Sequence, residues 1–165
     1  MSNQINIRWA EDADRQAVAK LLRGLMVYTA ALYEKPESDI KSLEEVQAGS
    51  DKTFAGPNNI RYVVAECDGE IAGICAVETS YSTWHAKPYI VLNDLFIDPK
   101  FRNSGIAREL LQFVTDHAHA IGGCRLDLFV EDQNKPAQKL YESFGFDKLK
   151  QTSYSLPIEP SDELP

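Results

Sequence analysis

The spacing of hydrophobic and polar residues changes along the chain, and these changes mark successive secondary-structure elements. Residues 5–9 alternate between apolar and polar side chains, which predicts an opening strand. Over residues 11–33 apolar positions recur at helical spacing, and Pro36 stops this helix because proline cannot continue it. Residues 40–48 are expected to form a second, short helix that ends at Gly49.

Two apolar runs in the middle of the chain flank a tight turn. Residues 60–67 and 70–79 lie on either side of Asp68-Gly69, a dipeptide typical of β-hairpin turns. Loops are predicted before and after this hairpin, over residues 51–59 and 80–87. The hairpin is therefore expected to form two neighbouring antiparallel strands.

The next stretch predicts a strand, a glycine-containing loop and a helix. Residues 89–97 are mostly apolar, and Asp98-Pro99 ends the strand that they form. Apolar residues repeat at helical spacing over 106–121, and Gly122-Gly123 ends this helix.

The C-terminal part repeats this alternation of strand and helix. Residues 124–130 alternate as a strand, Asn134 is suited to begin a helix as its N-cap, and residues 148–156 are expected to form a last strand. The element order predicts an α/β fold, with a mixed central sheet of six to seven strands and helices on both faces. Residues 1–156 are expected to form a single domain, and residues 157–165 a flexible tail.

Composition narrows the class of protein. The chain has 165 residues and a net charge of -8, which argues against nonspecific nucleic-acid binding. No apolar run approaches the roughly 20 residues that span a bilayer, and residues 1–6 do not begin a signal peptide. The chain has three cysteines, an odd number, and the spacing of Cys67, Cys75 and Cys124 is not that of a metal site. We therefore expect a cytoplasmic protein with reduced thiols, no membrane association and no metal site.

The loop before the helix over 106–121 is a candidate phosphate site. The first turn of a helix has backbone N–H groups without intrahelical partners, and the helix dipole adds partial positive charge there. Gly105 has no Cβ to keep a ligand away from this backbone, and Lys100, Arg102 and Arg108 add positive charge around it. The alternative interpretation is an ordinary strand-to-helix turn with basic surface residues.

Two motifs of the chain resemble those of a known family. Arg-x-x-Gly-x-Ala at 102–107 is similar to the pyrophosphate motif of the GCN5-related N-acetyltransferases (GNAT), and residues 92–99 resemble the central strand of that family. Residues 134–146, which include Tyr-x-x-x-Gly-Phe, resemble its second motif. Within the family, residues 81–84 running into 92–96 look most like the diamine acetyltransferase branch.

The resemblance implies a binding site for acetyl-CoA as acetyl donor. The central strand and the strand that begins at Cys124 are expected to splay apart, so that the cofactor enters between them. The implied cofactor-binding residues are Leu95, Phe96 and Ile97 along the strand, Arg102, Asn103, Ser104, Gly105, Ile106 and Ala107 at the pyrophosphate, and Asn134 and Tyr141 beyond it. For Asn134, a plain helix N-cap is an equally good interpretation.

The resemblance also implies catalytic groups. Tyr141 matches the family's general acid, which protonates the departing sulfur; by spacing alone it is an aromatic residue that packs on its helix. A lysine-like amine has a pKa near 10.4, so a proton must also be removed from it. The branch carries a Glu-Asp pair on the central strand, and Asn93-Asp94 stands here instead. Asn93 cannot act as a base, which leaves Asp94 or a chain of water molecules.

The acceptor is expected to be a primary amine of a small molecule that is polyamine-, diamine- or lysine-like. The candidate substrate-binding residues are Tyr28, Glu78, Tyr81, Trp84 and Asn93. Thr29 and Ser82 stand where the branch has further acids, and this loss of charge disfavours a polycation. A non-catalytic acyl-CoA sensor and a protein lysine or N-terminal acetyltransferase are the alternatives. Homodimers are common in the branch, so a homodimer is expected, although the sequence indicates no interface.

Overall fold

A five-stranded sheet forms the centre of the computed structural model, which describes residues 5–56 and 58–158. The strands are β1 (Ile5–Trp9), β2 (Ile60–Cys67), β3 (Glu70–Ser82), β4 (Lys87–Ile97) and β5 (Leu126–Leu128). They lie in sequence order; the first four are antiparallel to their neighbours, and β5 is parallel to β4. The predicted hairpin is confirmed, with positive φ angles at Asp68 and Gly69 in its turn.

Helices cover both faces of this sheet, as the element order predicts. They are α1 (Arg15–Leu32), α2 (Leu43–Ala55), α3 (Ile106–Ala120) and α4 (Lys135–Phe144). The α3-side core includes the buried residues Val63, Cys75, Val77, Leu92, Leu110 and Val114, with Leu140 and Phe144 of α4 packed against it. The α1-side core includes the buried residues Val18, Leu21, Tyr62, Val64, Ile74 and Phe96.

Helix α2 differs from the prediction at both ends. It begins at Leu43, because the Ser42 hydroxyl accepts a hydrogen bond from Glu45 N while the Glu45 carboxylate accepts one from Ser42 N. It continues past Gly49, beside which there is open space, to Ala55. The prediction of a loop from residue 51 is therefore wrong, and the Ser-x-x-Glu capping box is the sequence signal that marks the true start.

The predicted last strand does not form. The described residues 145–158 contain neither helix nor strand, so the described sheet has five strands rather than six to seven. The reason is that this segment has little to bury: its apolar side chains Leu149, Tyr154 and Leu156 are exposed and do not pack on the sheet. Of the predicted tail, residues 159–165 lie outside the described residues.

Strands β4 and β5 separate after a short contact. They pair only where Ile90–Leu92 meets Leu126–Leu128, and β5 is shorter than the predicted strand over 124–130. Strand β4 continues to Ile97, and no described strand pairs with its β5-facing edge beyond Leu92. A gap therefore opens between the C-terminal ends of these two parallel strands, where a ligand can reach the free edge of β4.

Candidate active site

Asn93 is an extra residue in β4. In the pairing of β3 with β4, Val77 lies opposite Leu92. The preceding residue of β3, Ala76, lies opposite Asp94. Asn93 is therefore left without an opposite residue, which makes a β-bulge.

The bulge changes which face of the sheet each β4 side chain meets. Leu92, before the bulge, belongs to the α3-side core, and so do Leu95 and Ile97 after it. Phe96 belongs to the α1-side core. Because alternate residues of a strand share a face, Asp94 points to the same side as Phe96, toward α1 and α2. Without the extra residue, Asp94 would face the same side as Leu92.

Asp94 lines a cleft of about 640 Å³ on the α1 side of the sheet. The cleft extends from α1 and α2 across β4 to the segment after β5 and to α4. Its polar lining includes Thr29, Tyr33, Lys35, Asp39, Lys41, Glu45, Tyr62, Asn93, Asp94, Glu131, Asn134 and Tyr141. The structure thus brings both predicted catalytic residues, Asp94 and Tyr141, into one cleft beside the free edge of β4.

The Asp94 carboxyl is half-buried, and burial raises its pKa above the ordinary value. The neighbouring Tyr62 hydroxyl also has a raised pKa, because of burial and, to a smaller extent, the charge of Asp94. A carboxylate with a raised pKa holds a proton more strongly than one in water. Asp94 is therefore a better proton acceptor than an exposed aspartate.

Tyr141 packs and also faces the cleft. Its ring belongs to the residues packed on the α3-side core and meets the Phe146 ring edge to face, with 5.7 Å between centroids. Burial, with smaller contributions from Cys75 and Glu131, raises the pKa of Tyr141 to about 12. The phenol is therefore protonated at neutral pH and can donate a hydrogen bond into the cleft.

The predicted phosphate loop has an open backbone. Gly105 is the N-cap of α3 in the left-handed region at φ 86°, and no side chain of the described residues caps this helix end. Asn103 also has a positive φ, 61°, which makes the turn compact. A Cβ at Gly105 would meet no described atom within 4 Å. The uncapped N–H groups of the first turn of α3 therefore fit an anionic group such as a pyrophosphate.

The basic side chains around this loop have protein partners. Lys100 forms an ion pair with Glu70, and Arg108 donates a hydrogen bond to Ser143 Oγ at 3.2 Å. Arg102 turns back to donate from Nε to the Ile97 carbonyl at 3.3 Å. The backbone of the loop, rather than free cationic side chains, is therefore what fits an anion in this structure.

The Asn134 carboxamide confirms the N-cap interpretation and makes one further contact. Its Oδ1 accepts a hydrogen bond from Ala137 N at 3.2 Å, which caps α4. The same oxygen accepts a second hydrogen bond, at 3.3 Å, from the hydroxyl of Tyr28 on α1.

The predicted amine-binding residues are only partly brought together. Asn93 lines the cleft and donates from Nδ2 to Glu78 Oε2 at 3.0 Å, which places Glu78 beside it. Tyr81 and Trp84 lie at the end of the β3–β4 hairpin, 61% and 92% exposed, and do not line the cleft. Tyr28 does not line the cleft itself, but it contacts Asn134, which does.

The cleft also contains polar residues that the sequence analysis did not select. Glu131 follows β5 and lies three residues before Asn134, whose N–H donates to the Glu131 carbonyl. Asp39 and Glu45 reach the cleft from the turn before α2 and from α2 itself. The position of Glu131 directly after a predicted strand is a sequence signal for a site residue. Nothing in the local sequence marks Asp39 or Glu45 as lining a cleft.

The described residues lack two structural features, a membrane-spanning helix and a cluster of metal ligands. Within 5–56 and 58–158, no helix combines the length and the hydropathy that crossing a membrane requires. Across that same part of the chain, no three His, Cys, Asp or Glu side chains cluster as metal ligands.

Comparison with known proteins places the chain in a family. Residues 25–146 match the model of the acetyltransferase (GNAT) family. A thialysine N-epsilon-acetyltransferase from Bos taurus is 32% identical over 153 residues, which cover 88% of this chain and 85% of the relative. The fold matches a possible acetyltransferase from Clostridium difficile 630 with a TM-score of 0.81 and 18% identity, over 94% of this chain and 98% of that one. It also matches an aminoglycoside N-acetyltransferase in complex with CoA with a TM-score of 0.71 and 18% identity, over 95% and 97% of the two chains. The two sequence motifs, the fold and these relatives agree, and the chain belongs to the GNAT family of N-acetyltransferases.

Proposed function

We propose that this protein transfers the acetyl group of acetyl-CoA to a primary amine of a small polyamine-, diamine- or lysine-like molecule. The observation that carries the proposal is the meeting of Asp94 and Tyr141 in one cleft, beside the free edge of β4. Direct attack of an amine on a thioester needs a proton acceptor for the amine and a donor for the leaving sulfur, and both must line the same cavity.

The acetyl donor is held along the gap between β4 and β5. Its pyrophosphate lies on the backbone of residues 102–107, where Gly105 leaves open space. Its pantetheine arm runs along Leu95, Phe96 and Ile97, whose main chain has no partner on the β5 side among the described strands. Asn134 and Tyr141 lie across this gap and contact the arm near its thioester end.

Transfer then needs one proton acceptor and one donor. The bound ammonium passes a proton to the Asp94 carboxylate, and the neutral nitrogen forms a bond to the thioester carbonyl carbon. As the carbon–sulfur bond breaks, the second proton of the nitrogen passes to solvent and the sulfur leaves with the electron pair. The Tyr141 hydroxyl donates a hydrogen bond to the departing sulfur, and the thiolate then takes up a proton from solvent. A main-chain N–H of the free β4 edge polarises the carbonyl during attack.

The lining of the cleft favours an amine that also carries a negative charge. Its lining carries both signs of charge, with the acids Asp39, Glu45, Asp94 and Glu131 and the bases Lys35 and Lys41. An amino acid with a side-chain amine can place its ammonium against the carboxylates and its own carboxylate against the lysines. The name of the Bos taurus relative, a thialysine acetyltransferase, supports a lysine-like acceptor.

The test is thiol release from acetyl-CoA, measured over a panel of amines. The panel contains lysine and thialysine, cadaverine, spermidine and spermine, and a peptide with one internal lysine. We expect release above the hydrolysis background with lysine-like or diamine acceptors, and mass spectrometry should find one added acetyl group on the product. Release with the peptide alone would assign the chain to protein acetylation, and release with no amine would contradict the proposal.

A further inference from the structure

Tyr28 connects three parts of the proposed acetyl-CoA site. It lies on α1, and its hydroxyl donates to Asn134 Oδ1 at 3.3 Å, across 106 positions of sequence. The Arg102 guanidinium carbon, at the start of the phosphate loop, lies 5.1 Å from the centre of the Tyr28 ring. The same guanidinium lies 5.6 Å from the centre of the Phe96 ring on β4. Tyr28 therefore contacts the residues around the β4–β5 gap, and it does not line the cleft that contains Asp94.

The contact with Asn134 fixes the direction of a carboxamide. An amide oxygen accepts two hydrogen bonds, and at Asn134 these come from Ala137 N and from the Tyr28 hydroxyl. Because the backbone N–H of Ala137 can only donate, the oxygen must be the atom that faces α4. Both acceptor positions of the oxygen are thus used by the protein, and the NH₂ group is the part left to donate to a ligand.

The contact with Arg102 fixes the entrance of the phosphate loop. The guanidinium donates to the Ile97 carbonyl at 3.3 Å and lies near the rings of Tyr28 and Phe96. Cation–π contacts of this kind are worth about 0.5–1 kcal/mol at exposed sites. The guanidinium is thereby held beside β4, between the Ile97 carbonyl and the rings of Tyr28 and Phe96.

We propose that Tyr28 is a positioning residue for acetyl-CoA rather than a ligand of the amine. The inference rests on the proposed function, because it assumes that the donor lies between β4 and β5. Tyr28 holds the Asn134 carboxamide with its NH₂ group toward the pantetheine arm, which presents amide carbonyls. A donor that is oriented before binding costs less conformational entropy when the ligand arrives.

The test compares binding of CoA with turnover of the amine. Tyr28→Phe removes the hydroxyl and keeps the ring beside Arg102. We expect the Kd for CoA, measured by calorimetry without an acceptor, to rise about two- to tenfold, which is the typical net value of one hydrogen bond. The KM for the amine should stay within twofold, and the thermal unfolding midpoint should change little. Tyr154→Phe, at a residue 92% exposed and outside the site, is the matched control and should change neither value.

A second variant tests the route through Asn134. Asn134→Ser keeps an oxygen that can cap α4 but is too short to reach Tyr28. In this background Tyr28→Phe should have no further effect on the Kd for CoA. The inference is overturned if Tyr28→Phe raises the KM for the amine at constant Kd for CoA, or if its effect on that Kd is the same in both backgrounds. If the unmodified protein bound no CoA at all, the proposed function itself would fail.

Discussion

A single inserted residue decides what faces the cleft. The sequence around Asn93-Asp94 shows which residues are present, but alternation alone does not show that β4 contains a bulge. The resemblance to diamine acetyltransferases directed attention to the missing glutamate at position 93. The structure adds that Asp94 faces α1 and α2 because of the bulge, and that burial makes it more basic. The pairing with β3, which is distant in sequence, sets this geometry, so local reasoning could not reach it.

Asp94→Asn should stabilise the protein at neutral pH and lower its activity. An unfolded aspartate has a pKa near 3.9, and burial raises the folded value. Ionisation of Asp94 therefore lowers the free energy of unfolding. This loss is absent at low pH, where the carboxyl is protonated, and it is complete above the folded pKa. The variant should unfold a few degrees higher than the parent at pH 7, and this difference should shrink toward pH 4. Its kcat/KM should fall about 10²-fold or more, as expected for loss of a general base.

Asp116→Asn is the control for Asp94→Asn, since Asp116 is exposed on α3 and away from the cleft. It should leave the activity and the unfolding midpoint at pH 7 near those of the parent. An Asp94→Asn protein that kept its kcat/KM would leave a chain of water molecules as the route for the amine proton.

Tyr141→Phe should lower kcat by about 10- to 100-fold or more, at the low end of general-acid effects. A thiol has a pKa near 8.5, so the thiolate is already a fair leaving group. The Tyr141 phenol, with a pKa of about 12, is the weaker acid and contributes mainly a hydrogen bond to the departing sulfur. The ring stays against Phe146, so folding and the affinity for acetyl-CoA should be near normal. Steady-state kinetics and thermal unfolding measure both properties.

Tyr89→Phe provides the comparison for Tyr141→Phe, because the Tyr89 ring lies under Arg125 and outside the cleft. It should leave kcat unchanged. A Tyr141→Phe protein with a lower unfolding midpoint and an unchanged kcat would mean that Tyr141 acts only through packing.

At the scale of whole elements, the sequence predicts those that carry a local signal. The Asp68-Gly69 turn, the Asn134 cap and the α3 pattern each carry their own signal, and each is confirmed. The start of α2 differs from the prediction although its capping box is local, because apolar spacing alone places the start at Ile40. The strand predicted over residues 148–156 failed for another reason: strand formation needs a neighbouring strand and a face to bury, which no local pattern guarantees.

Gly105→Asp should abolish CoA binding with little loss of folding. The substitution adds a side chain and a negative charge at the uncapped N-terminus of α3, where the pyrophosphate is proposed to lie. There is open space around the position, so the main structural cost is the positive φ, which aspartate tolerates better than most residues. Calorimetry with CoA should show no binding, and circular dichroism should show a folded protein.

Gly122→Asp is a close match for Gly105→Asp, because Gly122 also has a positive φ and open space around it. It follows the C-terminal end of α3, at the opposite end of the helix from the loop, and should keep the affinity for CoA. Unchanged affinity in a folded Gly105→Asp protein would show that residues 102–107 do not hold the pyrophosphate.

For the molecule as a whole, the two halves of the site differ in how far sequence predicts them. The proposed donor half consists of contiguous motifs, residues 102–107 and 134–146, which the sequence indicates directly. The acceptor half is built from α1, α2, β4 and the segment after β5, which meet only in the fold. Trp84 illustrates the difference, because the resemblance of residues 81–84 to the diamine branch suggested a place in the pocket, whereas the hairpin holds Trp84 92% exposed. Glu131 and Lys41 are the opposite case, because they lie far from β4 in sequence and yet line the cleft.

The distribution of charge across the acceptor half leads to the last prediction, which concerns specificity. We expect kcat/KM for lysine or thialysine to exceed that for spermine. Thr29 and Asn93 line the cleft where the diamine branch has acids, so a polycation meets fewer carboxylates than in that branch. It also meets Lys35 and Lys41 beside the remaining acids, which are Asp39, Glu45, Asp94 and Glu131. Ser82 is buried and accepts a hydrogen bond from His85 N, so an acid lost at that position matters less.

The double variant Thr29→Glu/Asn93→Glu should raise kcat/KM for spermine and lower it for lysine, since added negative charge attracts the first and repels the carboxylate of the second. The change should weaken as salt is added, because screening reduces interactions between exposed charges. A kcat/KM for spermine well above that of every lysine-like amine, in the unmodified protein, would mean that Glu78, Asp94 and Glu131 suffice to hold a polycation.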